Sequence, residues 1–266
     1  MNDSLVALFP DGDFRFHLTL RRGTPSQFFG PVDPTGRLLA ERADWLRRNP
    51  ARYAAMLPDG ESLLREFFAM AADWVPSLIS YPEECAIERI GRSMEPDILL
   101  LSPDDEGRFR LRGGALCFPT GWALEEKLGS TLDLIHDVVP GLNPSLGPAI
   151  HQFLAKLKPG IAFLRDNWGL AGTDELNLHP AREIPPISSP VNLDRLWLRV
   201  EHQALVALPR TAGVAFGIRI RLHRLSDLVG TPGAVGLRRA LATMPADLAG
   251  YKRLLGIRDE IVAALG

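Results

Sequence analysis

The chain has 266 residues, of which 46% are hydrophobic and 23% are charged, and its formal net charge is −2. This is the composition of a globular protein with a substantial core, and the lack of a basic excess argues against binding to nucleic acid or to an anionic membrane surface. The N-terminal residues lack the basic and apolar regions of a signal peptide, and no stretch approaches the ~18 consecutive apolar residues of a membrane span. We therefore expect a soluble cytoplasmic protein without a membrane segment.

The two cysteines, Cys85 and Cys117, limit the redox cofactors that the chain can hold by itself. They form no C-x-x-C, so a reducing compartment is the simpler expectation. An Fe–S cluster usually takes four protein ligands, and the C-x-x-C-H signature of covalently attached haem is absent. The sequence also lacks a phosphate-binding loop, G-x-G-x-x-G, H-E-x-x-H and G-x-S-x-G. Any haem would therefore be held non-covalently, and no nicotinamide or nucleotide site is indicated.

Taken in chain order, the apolar spacing first predicts a strand over residues 14–20 and helices over 35–48 and 61–75. Four short segments then predict a meander of antiparallel strands: CAIERI, DILLLS, RFRLRG and ALCFPTG. Helical spacing returns over residues 122–136 and 146–158.

The last third of the sequence predicts a long hairpin followed by a helix. The strands LWLRVEHQALVAL and GVAFGIRIRLHRL are joined by the turn PRTAG, and the helix is DLAGYKRLLGIRDEIVAAL. No flexible linker or internal repeat divides the chain. We therefore predict a single domain over residues 1–266, of the α+β class, with helices around an antiparallel sheet.

His136 is the first candidate for a functional role. It continues, in steps of four, an apolar helical stripe that begins at Leu124, and Pro140 and Gly141 just beyond it are expected to end the helix. An imidazole at the end of an apolar helical face can serve as a haem ligand. On spacing alone, a buried neutral histidine that is hydrogen-bonded to a backbone carbonyl is the more common arrangement.

The hairpin supplies the second candidate, Glu201. A period of two predicts two polar faces, formed by Arg199, Glu201 and Gln203 on one strand and by Arg219, Arg221 and His223 on the other. A pairing in which residue numbers sum to about 420 would bring Glu201 near Arg219 or Arg221. Two interpretations remain open: cross-strand salt bridges on a solvated face, or the polar wall of a pocket where Glu201 binds a cation or transfers protons.

The tract RDNWGL supplies the third candidate. Asn167 and Trp168 either line a flat apolar cofactor or form a turn asparagine beside a packed tryptophan. The other histidines show no spacing typical of metal ligands.

Several motifs together resemble one known family. They are, in order, FRFHLTL, LLAERADWLRRNP, LCFPTGWALEEKLGSTLDLIHDVVPGLN, RDNWGL and LRVEHQALVALPRTAGVAFGIRI. The most specific parts are FPTGW…EEKLG…IH…VPG and RVE.Q.L..LPRT. From about residue 14 to about residue 225, the sequence resembles the alpha-subunit family of the haem-dependent oxidative N-demethylases.

The resemblance implies a PAS-like fold, in which a small antiparallel sheet and flanking helices enclose non-covalent haem b. It also implies oxidative N-demethylation of a small secondary amine such as dimethylamine, with O₂ as the oxidant. Electrons would come from redox partner subunits, and flavin, Fe–S and folate chemistry would belong to those partners.

Carried onto this sequence, the resemblance implies that His136 is the axial ligand to the haem iron and that Glu201 is the catalytic residue that holds the amine. It also implies a set of further contacts to the haem propionates or the pocket: Lys127, Asn167, Trp168, Arg199 and Arg219.

Two departures from the family pattern leave the substrate open. The sequence has HDVVPG where the family usually has H-x-P-V-P-G, and His202 follows RVE where the family often has Arg. The alternative to an enzyme is a haem-binding PAS-like sensor or carrier without turnover. A sensor needs no carboxylate to bind an amine, so Glu201 discriminates between the two.

Overall fold

The computed structural model describes residues 3–9, 12–75, 78 and 86–266. A seven-stranded sheet lies at its centre. The strands are β1 Arg21–Gly23, β2 Ala54–Met56, β3 Asp97–Pro103, β4 Phe109–Ala115, β5 Ala162–Ala171, β6 Trp197–Leu208 and β7 Gly213–Arg224. They lie in the order β1-β5-β6-β7-β3-β4-β2, and each neighbouring pair is antiparallel. With its helices the chain is an α+β protein, as predicted.

The helices fall into three groups along the chain. The N-terminal group is α1 Asp3–Val6, α2 Pro25–Phe29, α3 Arg37–Arg48, α4 Pro50–Tyr53, α5 Glu61–Ala71 and α6 Ala86–Ser93. The group between β4 and β5 is α7 Leu124–Lys127, α8 Leu132–His136 and α9 Leu142–Leu154. The C-terminal group is α10 Pro232–Thr243, α11 Ala246–Tyr251 and α12 Arg258–Ala264. Within the described ranges, every helix is too short or too polar to cross a lipid bilayer.

The register of the sheet defines two faces that carry different side chains. Glu201 of β6 lies opposite Asn167 of β5 and Ile220 of β7. The next residue, His202, lies opposite Asp166 and Arg219. Because side chains alternate along a strand, these two sets point to opposite sides of the sheet. We name the sides the Glu201 face and the His202 face.

Each face packs against its own helices. On the Glu201 face, Leu101 and Val214 share an apolar cluster with Ile150 and Leu154 of α9. The His202 face carries two clusters. One joins β3 to the N-terminal helices, and the other joins the start of β6 to α10, α11 and α12. The sheet is therefore covered on both sides, which explains why its central strands are apolar on both faces.

A buried ion pair fixes the loop that follows β4. Arg42 and Asp97 are both fully buried, and Arg42 Nη1 donates to Asp97 Oδ1 at 2.6 Å. The same carboxylate accepts from the backbone N–H of Cys117 at 2.6 Å and of Phe118 at 3.0 Å. The aspartate thus holds the loop start against the sheet, and Thr120 follows two residues later.

The turn between β6 and β7 is held by α5. Glu66 is 4% exposed, and its carboxylate accepts from the backbone N–H of Arg210 at 2.7 Å and of Thr211 at 2.8 Å. The pairing that closes the hairpin joins Leu208 to Gly213. This clamp fixes the turn and, with it, the register of the two long strands.

The hairpin is confirmed, but the predicted neighbours of Glu201 are wrong. Paired residue numbers sum to 421, as in Glu201 with Ile220. Arg219 and Arg221 therefore project from the His202 face and not toward Glu201. A shift of one residue is enough to exchange the faces, because the side-chain period of a strand is two.

Three other segments differ from their predicted structure. The predicted strand CAIERI covers residues 85–90, of which residues 86–90 are described and belong to helix α6, with Ile87 and Ile90 buried at helical spacing. Residues 14–20 are extended without a ladder partner, and the first strand is instead Arg21–Gly23. The helix predicted over residues 122–136 is divided into α7 and α8, because Gly129 between them has a φ of 81°.

Candidate functional site

Glu201 lies in the middle of β6 with 9% of its surface exposed. Its Oε1 accepts a hydrogen bond from the Thr120 hydroxyl at 2.6 Å. Its Oε2 accepts from Gln203 Nε2 at 2.8 Å and from Asn167 Nδ2 at 3.2 Å. All three donors are neutral, so they fix the orientation of the carboxyl group without supplying a compensating charge.

Arg199, two residues before Glu201, anchors the surrounding loops. It is 1% exposed, and its Nη2 donates to the backbone carbonyls of Phe118 at 2.8 Å and Leu176 at 2.7 Å. Its Nε donates to the Thr120 hydroxyl at 2.9 Å. Burial lowers the pKa of Arg199 to about 10, against the opposing effect of the nearby Glu201 carboxylate. The guanidinium thus holds Thr120 where its hydroxyl meets Glu201.

His136 is the last residue of α8 and is half-buried. Burial lowers the pKa of its imidazole, and the positive charge of Arg165 lowers it further, while Asp133 acts in the opposite direction. Near neutral pH the imidazole is therefore uncharged, which is the form that binds a metal. His151 of α9 lies close by, and its Nε2 is 2.8 Å from Asp133 Oδ1.

Arg165 of β5 connects the surroundings of His136 with those of Glu201. It lies opposite Gln203 in the register and so projects from the Glu201 face. Burial lowers the pKa of Arg165, and the carboxylates of Glu201 and Asp166 raise it. The same guanidinium therefore acts electrostatically on both Glu201 and His136.

The structure brings some of the predicted site residues together and separates others. Asn167 and Arg199 lie with Glu201, whereas Trp168 and Arg219 lie on the His202 face. Trp168 packs edge-on against Phe9 with ring centroids 5.4 Å apart. Arg219 donates to the Phe28 carbonyl at 2.7 Å and to Glu95 Oε2 at 2.5 Å. Lys127, at the end of α7, is half-buried and has no side-chain hydrogen bond among the described residues.

Sequence reasoning missed two residues of this site, Thr120 and Arg165. Arg165 could have been predicted from the sequence, since a period of two from Asn167 places it on the same face of the strand. No sequence pattern identifies Thr120 beyond its position in the FPTGW motif. It reaches Glu201 from 81 residues away, through a loop whose path depends on Arg199 and Asp97.

A comparison with protein families gives a match over most of the chain. The family model described as haem-dependent oxidative N-demethylase, alpha subunit-like, matches residues 77–262. The matched range contains β3 to β7 and the helices α7 to α11, and so both His136 and Glu201. The chain therefore belongs to the haem-dependent oxidative N-demethylase alpha-subunit-like family.

Proposed function

We propose that this chain binds haem b non-covalently on the Glu201 face and serves in the oxidative N-demethylation of a small secondary amine such as dimethylamine. The observation that carries the proposal is the carboxyl group of Glu201, which is almost buried and is oriented by three neutral donors. A protonated amine placed there would gain a charge-assisted hydrogen bond in a site of low dielectric constant.

Several features of the Glu201 face fit a haem. The neutral imidazole of His136 is a suitable iron ligand, and the Arg165 guanidinium is suited to pair with a propionate. Gln203 Oε1 is buried and has no hydrogen-bond partner among the described residues. A Cβ added at Gly169 would meet nothing within 4 Å, so the strand surface there has space above it.

Each residue would have a distinct part in binding and proton movement. Bound haem would supply the oxidation of the amine by O₂, and His136 would hold the iron. Glu201 would hold the ammonium group of the substrate and then accept or return a proton at one of its oxygens. Thr120, Asn167 and Gln203 would keep that carboxyl group in position, and Arg199 would act through Thr120.

Lys127 is a further candidate for a propionate contact, since it is the last residue of α7, which packs on the Glu201 face through Leu124. The strand order β5-β6-β7-β3-β4, with helices inserted between β4 and β5, supports a PAS-like description of the central unit. We propose that partner subunits with flavin and Fe–S centres supply electrons, because the chain has no recognisable nicotinamide motif.

The substrate proposal is tested by absorption spectroscopy of protein purified from haem-supplied cells. We expect a Soret band that shifts when dimethylamine is added, with a much weaker response in Glu201→Gln. Glu126→Gln is the matched control, because Glu126 is an exposed carboxylate on α7. A protein that lacks the Soret band would contradict haem binding. Equal responses in wild type and Glu201→Gln would favour a haem sensor over an amine oxidase.

The ligand proposal is tested by comparing His136→Ala with His151→Ala. Both histidines lie on the helices that cover the Glu201 face, and both act on the same aspartate, Asp133. We expect His136→Ala to lose haem or change its spectrum, and His151→Ala to keep both. The reverse result would move the ligand assignment to α9.

A further inference from the structure

We propose that a cleft on the His202 face binds a small organic carboxylate with an apolar body. The cleft has a volume of about 340 Å³ and lies between β5, β6 and β7 on one side and α1 and α2 on the other. This volume is within the range of sites for small molecules. Glu201 projects from the other face and does not line the cleft, although Arg165 and Gln203, which lie beside Glu201, do.

One wall of the cleft is apolar. It is formed by side chains from the N-terminal segments and from β5, namely Leu5, Leu8, Phe28, Val32 and Leu164. Val32 is 53% exposed, so part of this wall is open to solvent. A hydrocarbon or aromatic group would bury this wall and gain the usual hydrophobic stabilisation.

The floor of the cleft is polar, and its side chains are hydrogen-bonded to one another. Asp166 Oδ2 accepts from Arg21 Nη2 at 2.6 Å, and Asp166 Oδ1 lies 2.6 Å from His202 Nδ1. The Asp166 carboxylate can only accept, so Nδ1 of His202 donates to it, and Asp166 thereby joins His202 to Arg21. Arg219 is committed to Glu95 and to the Phe28 and Gly30 carbonyls. These contacts hold the floor rigid.

The remaining polar groups of the cleft favour a negatively charged ligand. Four arginines, at 21, 165, 219 and 221, line it, and the carboxylates of Asp166 and Glu95 pair with Arg21 and Arg219. Arg221 is exposed at the cleft and has no ion-pair partner among the described residues. Arg165 likewise has no ion-pair partner among the described residues, and His223 lies nearby. The unpaired guanidiniums favour an anion, and the apolar wall favours an anion with an apolar body, such as an organic carboxylate, over inorganic phosphate.

The chemistry is tested by calorimetric titration of the haem-loaded protein with benzoate. Benzyl alcohol serves as the neutral analogue of the same shape, and sulfate as the anion without an apolar body. We expect benzoate to bind and both comparators to bind at least about tenfold more weakly, because benzyl alcohol lacks the negative charge and sulfate lacks the apolar body. Failure of benzoate to bind, or equal binding of benzyl alcohol, would overturn the proposal.

The location is tested with two arginines of the same strand. Arg221→Gln should weaken benzoate binding about tenfold or more, whereas Arg224→Gln should leave it unchanged, because Arg224 is equally exposed but projects from the other face. Val32→Ser should also weaken binding while leaving the fold intact, since its side chain is half-exposed. Equal effects of the two arginine variants, or loss of benzoate binding in Glu201→Gln, would show that the ligand binds elsewhere.

Discussion

Thr120 and Glu201 share a 2.6 Å hydrogen bond that joins the loop after β4 to the centre of β6. The hydroxyl has one proton, and it donates that proton to Glu201 because its lone pair accepts from Arg199 Nε at 2.9 Å. The buried Arg199 guanidinium therefore positions the Glu201 carboxyl group through Thr120, and Arg199 and Glu201 form no direct ion pair. The orientation of Glu201 depends on a neutral residue from a distant part of the chain.

Replacing Thr120 tests this indirect positioning. Thr120→Val keeps the shape of the side chain but leaves Arg199 Nε and Glu201 Oε1 without their partner. We expect a loss of about 1–3 kcal/mol in the free energy of unfolding, measured with urea. Thr120→Ser, which keeps the hydroxyl, should lose much less. Equal losses in the two variants would mean that the methyl group, and not the hydroxyl, matters.

The buried pair of Arg42 and Asp97 should be far more important for stability than any surface pair. Arg42→Met would leave the Asp97 carboxylate buried with only its two backbone donors, at an expected cost of about 3–5 kcal/mol. Arg47→Met removes an exposed partner of Asp44 and should cost less than about 1 kcal/mol. Urea unfolding of both variants measures the difference, and similar losses would contradict the assigned role of Arg42.

Two glycines in the sheet should respond oppositely to a methyl group. A Cβ at Gly217 would lie 2.5 Å from Phe29 Cε1 and 2.7 Å from Phe28 Cε1, so Gly217→Ala should destabilise the protein by about 1–3 kcal/mol. A Cβ at Gly169 would meet nothing within 4 Å, so Gly169→Ala should leave stability unchanged or raise it slightly. A clear loss in the thermal midpoint of Gly169→Ala would show that its surface is not open.

Stability should fall on mild acidification. Burial lowers the pKa of His17 and of His223; nearby arginines add to the effect at His17, and His202 and Arg221 add to it at His223. The unfolded chain therefore takes up these protons before the folded protein does. The stabilisation is complete above about pH 6.5 and is lost as the pH falls below that value toward the lowered pKa values.

The measurement is the urea midpoint of unfolding at about pH 7.5 and about pH 5.5. The double variant His17→Gln, His223→Gln cannot take up these protons, so its midpoint should fall less than that of the wild type over the same interval. An identical fall in both proteins would assign the pH dependence to other groups.

The parts of the fold that the sequence predicted correctly have strong local signals. Strands β6 and β7 have long apolar runs on either side of a short turn, and α3 and α5 have clear apolar stripes. Residues 86–90 were misassigned because a short apolar run is compatible with either period. Apolar and polar residues alternate over residues 14–20 because one side of this segment packs on the apolar core, where Phe14 and Phe16 are in contact. No neighbouring strand pairs with the segment.

The composition of the site was harder to predict than the fold. Glu201 and Asn167 could be found from motifs and from the strand period, and the register of β5 and β6 places them together. Arg219 was misplaced because the hairpin pairing differs by a single position from the predicted one. Thr120 could not be found, since its contact depends on buried polar anchors that leave no periodic pattern in the sequence.

The clamp at the β6–β7 turn gives Glu66 of α5 an indirect influence on a site that it does not touch. If the turn slipped by one residue, Arg219 and Arg221 would rotate onto the Glu201 face, and Ile218 and Ile220 would leave it. Two guanidinium groups would then compete with any amine for the same carboxyl group. By binding two backbone amides of the turn, Glu66 keeps Arg219 and Arg221 on the His202 face and, under the proposed function, leaves the Glu201 carboxyl group available to a substrate.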